Sequence, residues 1–235
     1  MNLPPLTTGI ILNRYKRFLA DIKLDTGETV TAHCANTGAM TSCWQPGARV
    51  ALSYNDNPKR KLRWSLERVD MGGGWIGVNT ARTNPIIKSF IQDKSIPGLD
   101  QYDGIHGEPP YIASGFPKSR FDILLNAENK PDCYIEVKNT TLWLNQKIQF
   151  PDAVTERGRK HLDLLVHARQ KGFRAVILFA VNRPEGDSVS AATDIDPAYA
   201  RALGNALDKG VEAIAVRIQH HRDRVSMGEV LPVLR

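Results

Sequence analysis

A change of rhythm near residue 80 constrains this chain more than any other feature. Before it, short apolar runs alternate with polar residues at 8–13, 17–24, 29–34, 49–54, 62–69 and 75–78. A period of two over such lengths is the pattern of half-buried strands. Asp25-Thr26-Gly27 supplies a hairpin turn between two of the runs. Five or six strands in about 80 residues predict a small OB-type barrel, an arrangement that closes its own sheet edges. Gly72-Gly73-Gly74 joins two strands and reads as a turn, because no helix and lysine follow it to cradle a phosphate.

After residue 80 the runs lengthen and helices enter. Asn84-Pro85 opens a helix whose stripe is Ile86, Ile87, Phe90 and Ile91, and Pro97-Gly98 lies beyond its end. A stretch rich in glycine and proline leads to two apolar runs, 121–125 and 133–138, joined by a polar turn. Then come a helix over 154–171 stopped by Gly172, a buried strand over 174–181, a helix between Asp196-Pro197 and Gly210, and a strand over 211–218. The expectation is an α+β protein. A barrel fills 1–80 and a mixed sheet flanked by helices fills 81–235, each long enough to bury a core.

Chemistry concentrates in the paired runs. In Cys133-Tyr134-Ile135-Glu136-Val137-Lys138, strand phasing puts Glu136 and Lys138 on one face and Cys133, Ile135 and Val137 on the other. Pairing with the run at 121–125 brings Asp122 close to Glu136. Two acids and a lysine converging this way suit a divalent cation beside an ammonium group, the equipment of phosphodiester hydrolysis. The string is short enough to recur by chance, so its setting carries the argument. Asp21-Ile22-Lys23 fits the same short string without an upstream Asp, and is set aside.

A second group opens the helix at 154–171. Asp152 or Thr155 is placed to cap it, and Glu156, Lys160 and His161 share one side. Two readings fit: a solvated helix turning Leu162, Leu165 and Val166 inward, or cations (Arg157, Lys160) and His161 near a scissile phosphate. His33, His220 and His221 have no partner readable from the sequence, and are taken as structural or exposed.

Charge distribution points to the barrel. Residues 1–80 hold 10 Lys and Arg against 6 Asp and Glu, the larger part of the chain's formal +6. Arg14-Tyr15-Lys16-Arg17-Phe18 and Lys59-Arg60-Lys61-Leu62-Arg63-Trp64 interleave bases with aromatics, which suits phosphate contact plus stacking on unpaired bases. The plainer reading of either cluster is a charged strand edge. Cys34, Cys43 and Cys133 are scattered and odd in number, so reduced buried thiols are expected and zinc is not. No run suits a signal peptide or membrane span, and a soluble, cytoplasmic protein with no membrane partner is expected.

Five ordered strings carry a resemblance over essentially the whole chain. They are Arg14-Tyr15-Lys16-Arg17-Phe18-Leu19-Ala20-Asp21, Asn36-Thr37-Gly38-Ala39-Met40, Asp56-Asn57-Pro58-Lys59-Arg60-Lys61, Pro131-Asp132-Cys133-Tyr134-Ile135-Glu136-Val137-Lys138 and Phe150-Pro151-Asp152-Ala153-Val154-Thr155-Glu156-Arg157-Gly158. Together they resemble the sugar fermentation stimulation protein A (SfsA) family. The resemblance implies an N-terminal OB-like domain, a C-terminal domain similar to the PD-(D/E)xK nucleases, non-specific DNA binding and a regulatory role in maltose metabolism. By the same match, Asp122, Glu136 and the Val137 carbonyl hold a magnesium or manganese ion, Lys138 orients or deprotonates the attacking water, and Arg120 steadies a phosphate. The chain departs from the family twice. Ala35 replaces a proline before Asn-Thr-Gly, and the first nuclease-domain helix lacks the glutamate often found there, for which Glu108 is the candidate substitute.

Two function classes follow: a non-specific DNA-binding protein of regulatory type, or an active nuclease on DNA or RNA. A sugar-modifying enzyme finds no nucleophile, nucleotide loop or suited acid pair.

Overall fold

The computed structural model describes residues 1–235. Six strands come first: β1 (Leu6–Tyr15), β2 (Leu19–Leu24), β3 (Thr29–His33), β4 (Arg49–Tyr54), β5 (Trp64–Asp70) and β6 (Trp75–Gly77). They run in the order β3-β2-β1-β4-β5-β6, and a parallel pairing of β3 with β5 closes the first five into a barrel. Alternation decides what faces inward: Ile11, Ala20, Ile22, Ala32, Val50, Leu52, Leu66 and Val69 are buried in one cluster. The second strand begins at Leu19 and not at residue 17, because Lys16 and Arg17 take left-handed φ values of 50° and 67° at the hairpin turn. All three cysteines are buried and free.

A 3₁₀ turn leads into α1 (Thr83–Gln92), followed by β7 (Gly104–Gly107), β8 (Pro110–Tyr111), β9 (Ser119–Arg120), β10 (Ile123–Asn126), β11 (Cys133–Thr140), β12 (Leu142–Leu144) and β13 (Lys147–Phe150). The rest comprises α2 (Glu156–Gln170), β14 (Arg174–Val181), β15 (Val189–Ala191), α3 (Pro197–Asp208), β16 (Glu212–His220), β17 (Val225–Leu231) and β18 (Val233–Leu234). The main sheet has the order β17-β16-β14-β11-β10-β7. β11, β14 and β16 are parallel, and the outer strands are antiparallel.

Helices cover both faces of that sheet. On one face α1 buries Ile86, Ile87, Phe90 and Ile91 against Ile135, Val137, Val176, Leu178 and Val216. On the other, Leu162 and Leu165 of α2 and Tyr199 and Leu203 of α3 cover Ile177, Phe179, Val181 and Ala215. Strands covered on both faces read as continuous apolar runs, which is the pattern of Arg174–Val181. A smaller sheet, β12-β13-β15-β18, and the β8–β9 hairpin complete the domain. No helix is long and apolar enough to cross a membrane.

Candidate functional site

β10 pairs with β11 in the register Ile123↔Ile135, and β10 starts there, so Asp122 lies one step before the strand rather than within it. That late start leaves the backbone of Val137 without a ladder partner on the β10 side. Asp122 fills the gap: its Oδ2 accepts the Val137 N–H at 2.8 Å, while its Oδ1 accepts Asn84 Nδ2 at 2.7 Å from the first turn of α1. A strand residue's N–H and C=O leave the chain on the same side, so the Val137 carbonyl faces the same gap.

Glu136 is only 3% exposed. Its Oε1 accepts Lys138 Nζ at 2.7 Å and is also bonded to His161 Nδ1 from α2. Arg157 Nε donates to His161 Nε2 at 3.4 Å, so the tautomer that satisfies both contacts carries its proton on Nδ1, toward Glu136. Glu136 Oε2 is buried and has no partner in the protein. A buried carboxylate oxygen left without a hydrogen bond is costly unless a further group reaches it.

The two acids are pushed in opposite directions. Burial, and next the negative charge of Glu136, hold the Asp122 carboxyl above its ordinary range, against the opposing Val137 and Asn84 hydrogen bonds. Burial alone would raise Glu136 as well. The His161 hydrogen bond and the Lys138 charge outweigh it and hold Glu136 below the ordinary range. A pair separated in this way keeps one carboxylate ionised at neutral pH and leaves the other easier to protonate.

Nowhere in the chain do three or more His, Cys, Asp or Glu side chains stand together as a metal cluster. What Asp122, Glu136 and Val137 offer is an oxygen set with one orphaned carboxylate atom, Glu136 Oε2. Such a set fits a hard cation that binds through one or two carboxylates and leaves its remaining positions to water and phosphate. It does not fit zinc, whose sites favour thiolate and imidazole.

Beside the acid pair a cleft of about 770 Å³ opens between α2 and the β8–β9 hairpin. Arg157, Lys160 and His161 line one wall, and Lys118 and Arg120 the other. His161 belongs to both cleft and acid pair, so the two are continuous. Asp122, Glu136, Val137, Lys138, Arg120, Arg157, Lys160 and His161 are therefore gathered in one region. Glu108 is exposed and lies 3.7 Å from Arg120, while Glu156 is exposed on the first turn of α2.

The barrel's cations lie elsewhere, and none lines the cleft. Lys16, Arg17, Lys59 and Lys61 are exposed on its hairpin turns. Arg60 donates to Ser65 Oγ at 3.0 Å. Arg14 is half-buried and committed to the carbonyls of Arg17, Asn36 and Gly38, so its guanidinium ties loops together. Sequence reasoning missed Asn84, read only as a helix start, and Lys118. Asp152 does not cap α2; Thr155 does, accepting the Gly158 N–H at 3.0 Å.

Comparison with known proteins adds the lineage. The family model described as the sugar fermentation stimulation protein RE domain matches residues 81–224, and that of the SfsA N-terminal OB domain matches residues 12–78. The chain belongs to the sugar fermentation stimulation protein family. Members named sugar fermentation stimulation protein homolog include one from Acidithiobacillus ferrooxidans, 42% identical over 235 residues and all of both chains. Another, from Pelobacter propionicus, is 44% identical over 234 residues, again covering both chains completely. A solved structure of Pyrococcus furiosus SfsA in complex with Ca2+ superposes with a TM-score of 0.89 at 24% identity, covering 100% of this chain and 98% of that one. That likeness establishes the shared two-domain fold.

Proposed function

We propose that the protein binds nucleic acid without sequence preference and hydrolyses its phosphodiester bonds at the Asp122–Glu136–Lys138 site. The observation that carries the reading is the orphaned Glu136 Oε2, a buried anionic oxygen beside a second carboxylate at the edge of a cationic cleft. Asp122, Glu136 and the Val137 carbonyl would hold a magnesium or manganese ion, which when bound polarises the phosphoryl group and neutralises its charge. The remaining work belongs to the side chains. Lys138, fixed by its 2.7 Å bond to Glu136, orients the attacking water. Arg120, Arg157 and Lys160 neutralise the flanking phosphates. His161 keeps Glu136 ionised and in position. The Pyrococcus furiosus relative was solved with a divalent ion, which agrees with such a site.

The test is a cleavage assay on labelled DNA and RNA with magnesium or manganese, paired with binding measured by fluorescence anisotropy across a salt series. Asp122→Asn and Glu136→Gln are each expected to lower cleavage by about 100-fold or more, with affinity for nucleic acid unchanged or tighter. Wild-type protein that cuts none of these substrates with either metal would overturn the hydrolytic part.

A second reading, binding alone in a regulatory role in sugar metabolism, is favoured by one observation. The amide of Asn84, not a third carboxylate, meets Asp122 from the first helix. It predicts the same salt-dependent affinity without cleavage.

A further inference from the structure

We propose that the cleft takes an unpaired nucleotide, with its base against Ile112 and Phe116 and its phosphates on the surrounding cations, so that the substrate is single-stranded nucleic acid. This rests on the reading that the cleft is the nucleic-acid site, and it names the form of strand that enters.

The cleft is not merely a basic strip. Between its cationic walls lie Pro110, Ile112, Phe116, Pro117 and Leu164. Its volume of about 770 Å³ lies in the range of concave sites that enclose a small ligand, roughly 300–1,000 Å³. A duplex presents phosphates and sugars on its outside and keeps its bases stacked within, so it offers nothing apolar to such a floor. An unpaired base does, because every base has a face that stacks on apolar and aromatic side chains.

Ile112 makes the point sharply. It is 80% exposed, more than any other large apolar side chain in the protein. Phe116 is held ready. Its ring lies 5.4 Å from that of His167, whose Nδ1 is bonded to the Tyr111 hydroxyl at 2.8 Å. Tyr111 in turn packs edge-on against Phe121 and Tyr134. This aromatic stack fixes the platform before any ligand arrives, which lowers the ordering cost of binding.

The charges complement a strand that passes the platform. Lys118 and Lys160 have no carboxylate partner, Arg157 reaches only the His161 ring, and Arg120 keeps a loose 3.7 Å contact with the equally exposed Glu108. Asp163 is the one acid among the lining residues. Because His161 lines the cleft and also bonds Glu136, a base on Phe116 sets a neighbouring phosphate beside the acid pair.

The experiment measures affinity of the full-length protein, in EDTA to prevent cleavage, for a labelled DNA single strand, the same sequence as duplex, an RNA single strand, and a DNA strand of abasic spacers. Wild-type protein is expected to bind the single strands at least about 10-fold more tightly than the duplex or abasic strand, a gain within the range of base stacking. The RNA and DNA arms show which sugar is preferred. Ile112→Ser, at a side chain that is largely exposed, is expected to weaken single-strand binding about 5-fold or more while leaving the protein's melting temperature and duplex affinity unchanged. Lys160→Gln is expected to weaken every arm. Equal affinity for duplex and single strand, or an Ile112→Ser variant that binds single strands like wild type, overturns this inference alone. Failure to bind any oligonucleotide overturns the underlying reading as well.

Discussion

At the scale of single residues, the site depends on who answers each carboxylate oxygen. Glu136 Oε1 meets an ammonium and an imidazole, Asp122 meets two N–H donors, and Glu136 Oε2 meets nothing. Asn84 is the least expected participant. Its single 2.7 Å hydrogen bond restrains a carboxyl that burial already destabilises as an anion. Asn84→Ala should cost about 1.5–3 kcal/mol of stability, the worth of a hydrogen bond to a charged group, and should lower metal-dependent cleavage more than DNA affinity. Denaturant titration and the cleavage assay read the two effects, and cleavage at the wild-type rate would remove Asn84 from the site. Glu136 and Lys138 were legible because strand phasing fixes their shared face, and Asp122 because the apolar run that follows it pairs with theirs. Asn84 was not, because its contact spans 38 residues and belongs to the packing of α1 on the sheet.

Whole elements were legible where local pattern and tertiary demand agree. The strands Arg49–Tyr54 and Arg174–Val181 have the bounds their apolar runs predict, and Asp196 caps α3 by accepting the Tyr199 N–H at 2.9 Å. The small sheet was invisible. β13 and β15 pair in parallel through Ile148↔Val189, and pairings of three residues between distant segments leave no periodic trace in either. The predicted helix at 154–171 is shorter, Glu156–Gln170, because the Thr155 side chain fixes where it begins. That cap bears on function, since α2 carries Arg157, Lys160 and His161. Thr155→Ala should destabilise the protein by about 1 kcal/mol and weaken nucleic-acid binding by loosening the first turn. Chemical denaturation and anisotropy check both effects. An unchanged denaturation midpoint would show that the helix start is held by other contacts, such as Thr155 N–H to Asp196.

Across the whole molecule, two of the strings that carry the family resemblance, those at 36–40 and 150–158, serve the seam between barrel and sheet, not the acid pair. Met40 N–H donates to Asp152 at 3.1 Å, and a Cβ on Gly38 would sit 2.5 Å from that same carboxylate. Arg68 of the barrel donates to the carbonyls of His221 and Arg222. Near Arg68 lies His220, whose Nε2 bonds Asn182 Oδ1 at 2.7 Å and approaches closely only because Gly77 has no side chain. Burial, then the charge of Arg68 and then that of His221, push the His220 imidazole down to about 3. In the unfolded chain it protonates near the ordinary value of about 6.5. The folded state therefore binds fewer protons than the unfolded one throughout that interval. Stability from the neutral ring is complete above about pH 6.5 and is lost progressively as pH falls toward 3, at about 1.4 kcal/mol per unit. Thermal melts between pH 7.5 and 5 should show a falling midpoint in a range above most carboxylate titrations. His220→Gln, which keeps an amide donor for Asn182, should flatten that slope while lowering the midpoint at pH 7.5. A variant as acid-sensitive as wild type would place the titrating group elsewhere and leave the seam held chiefly by Arg68 and Asp152.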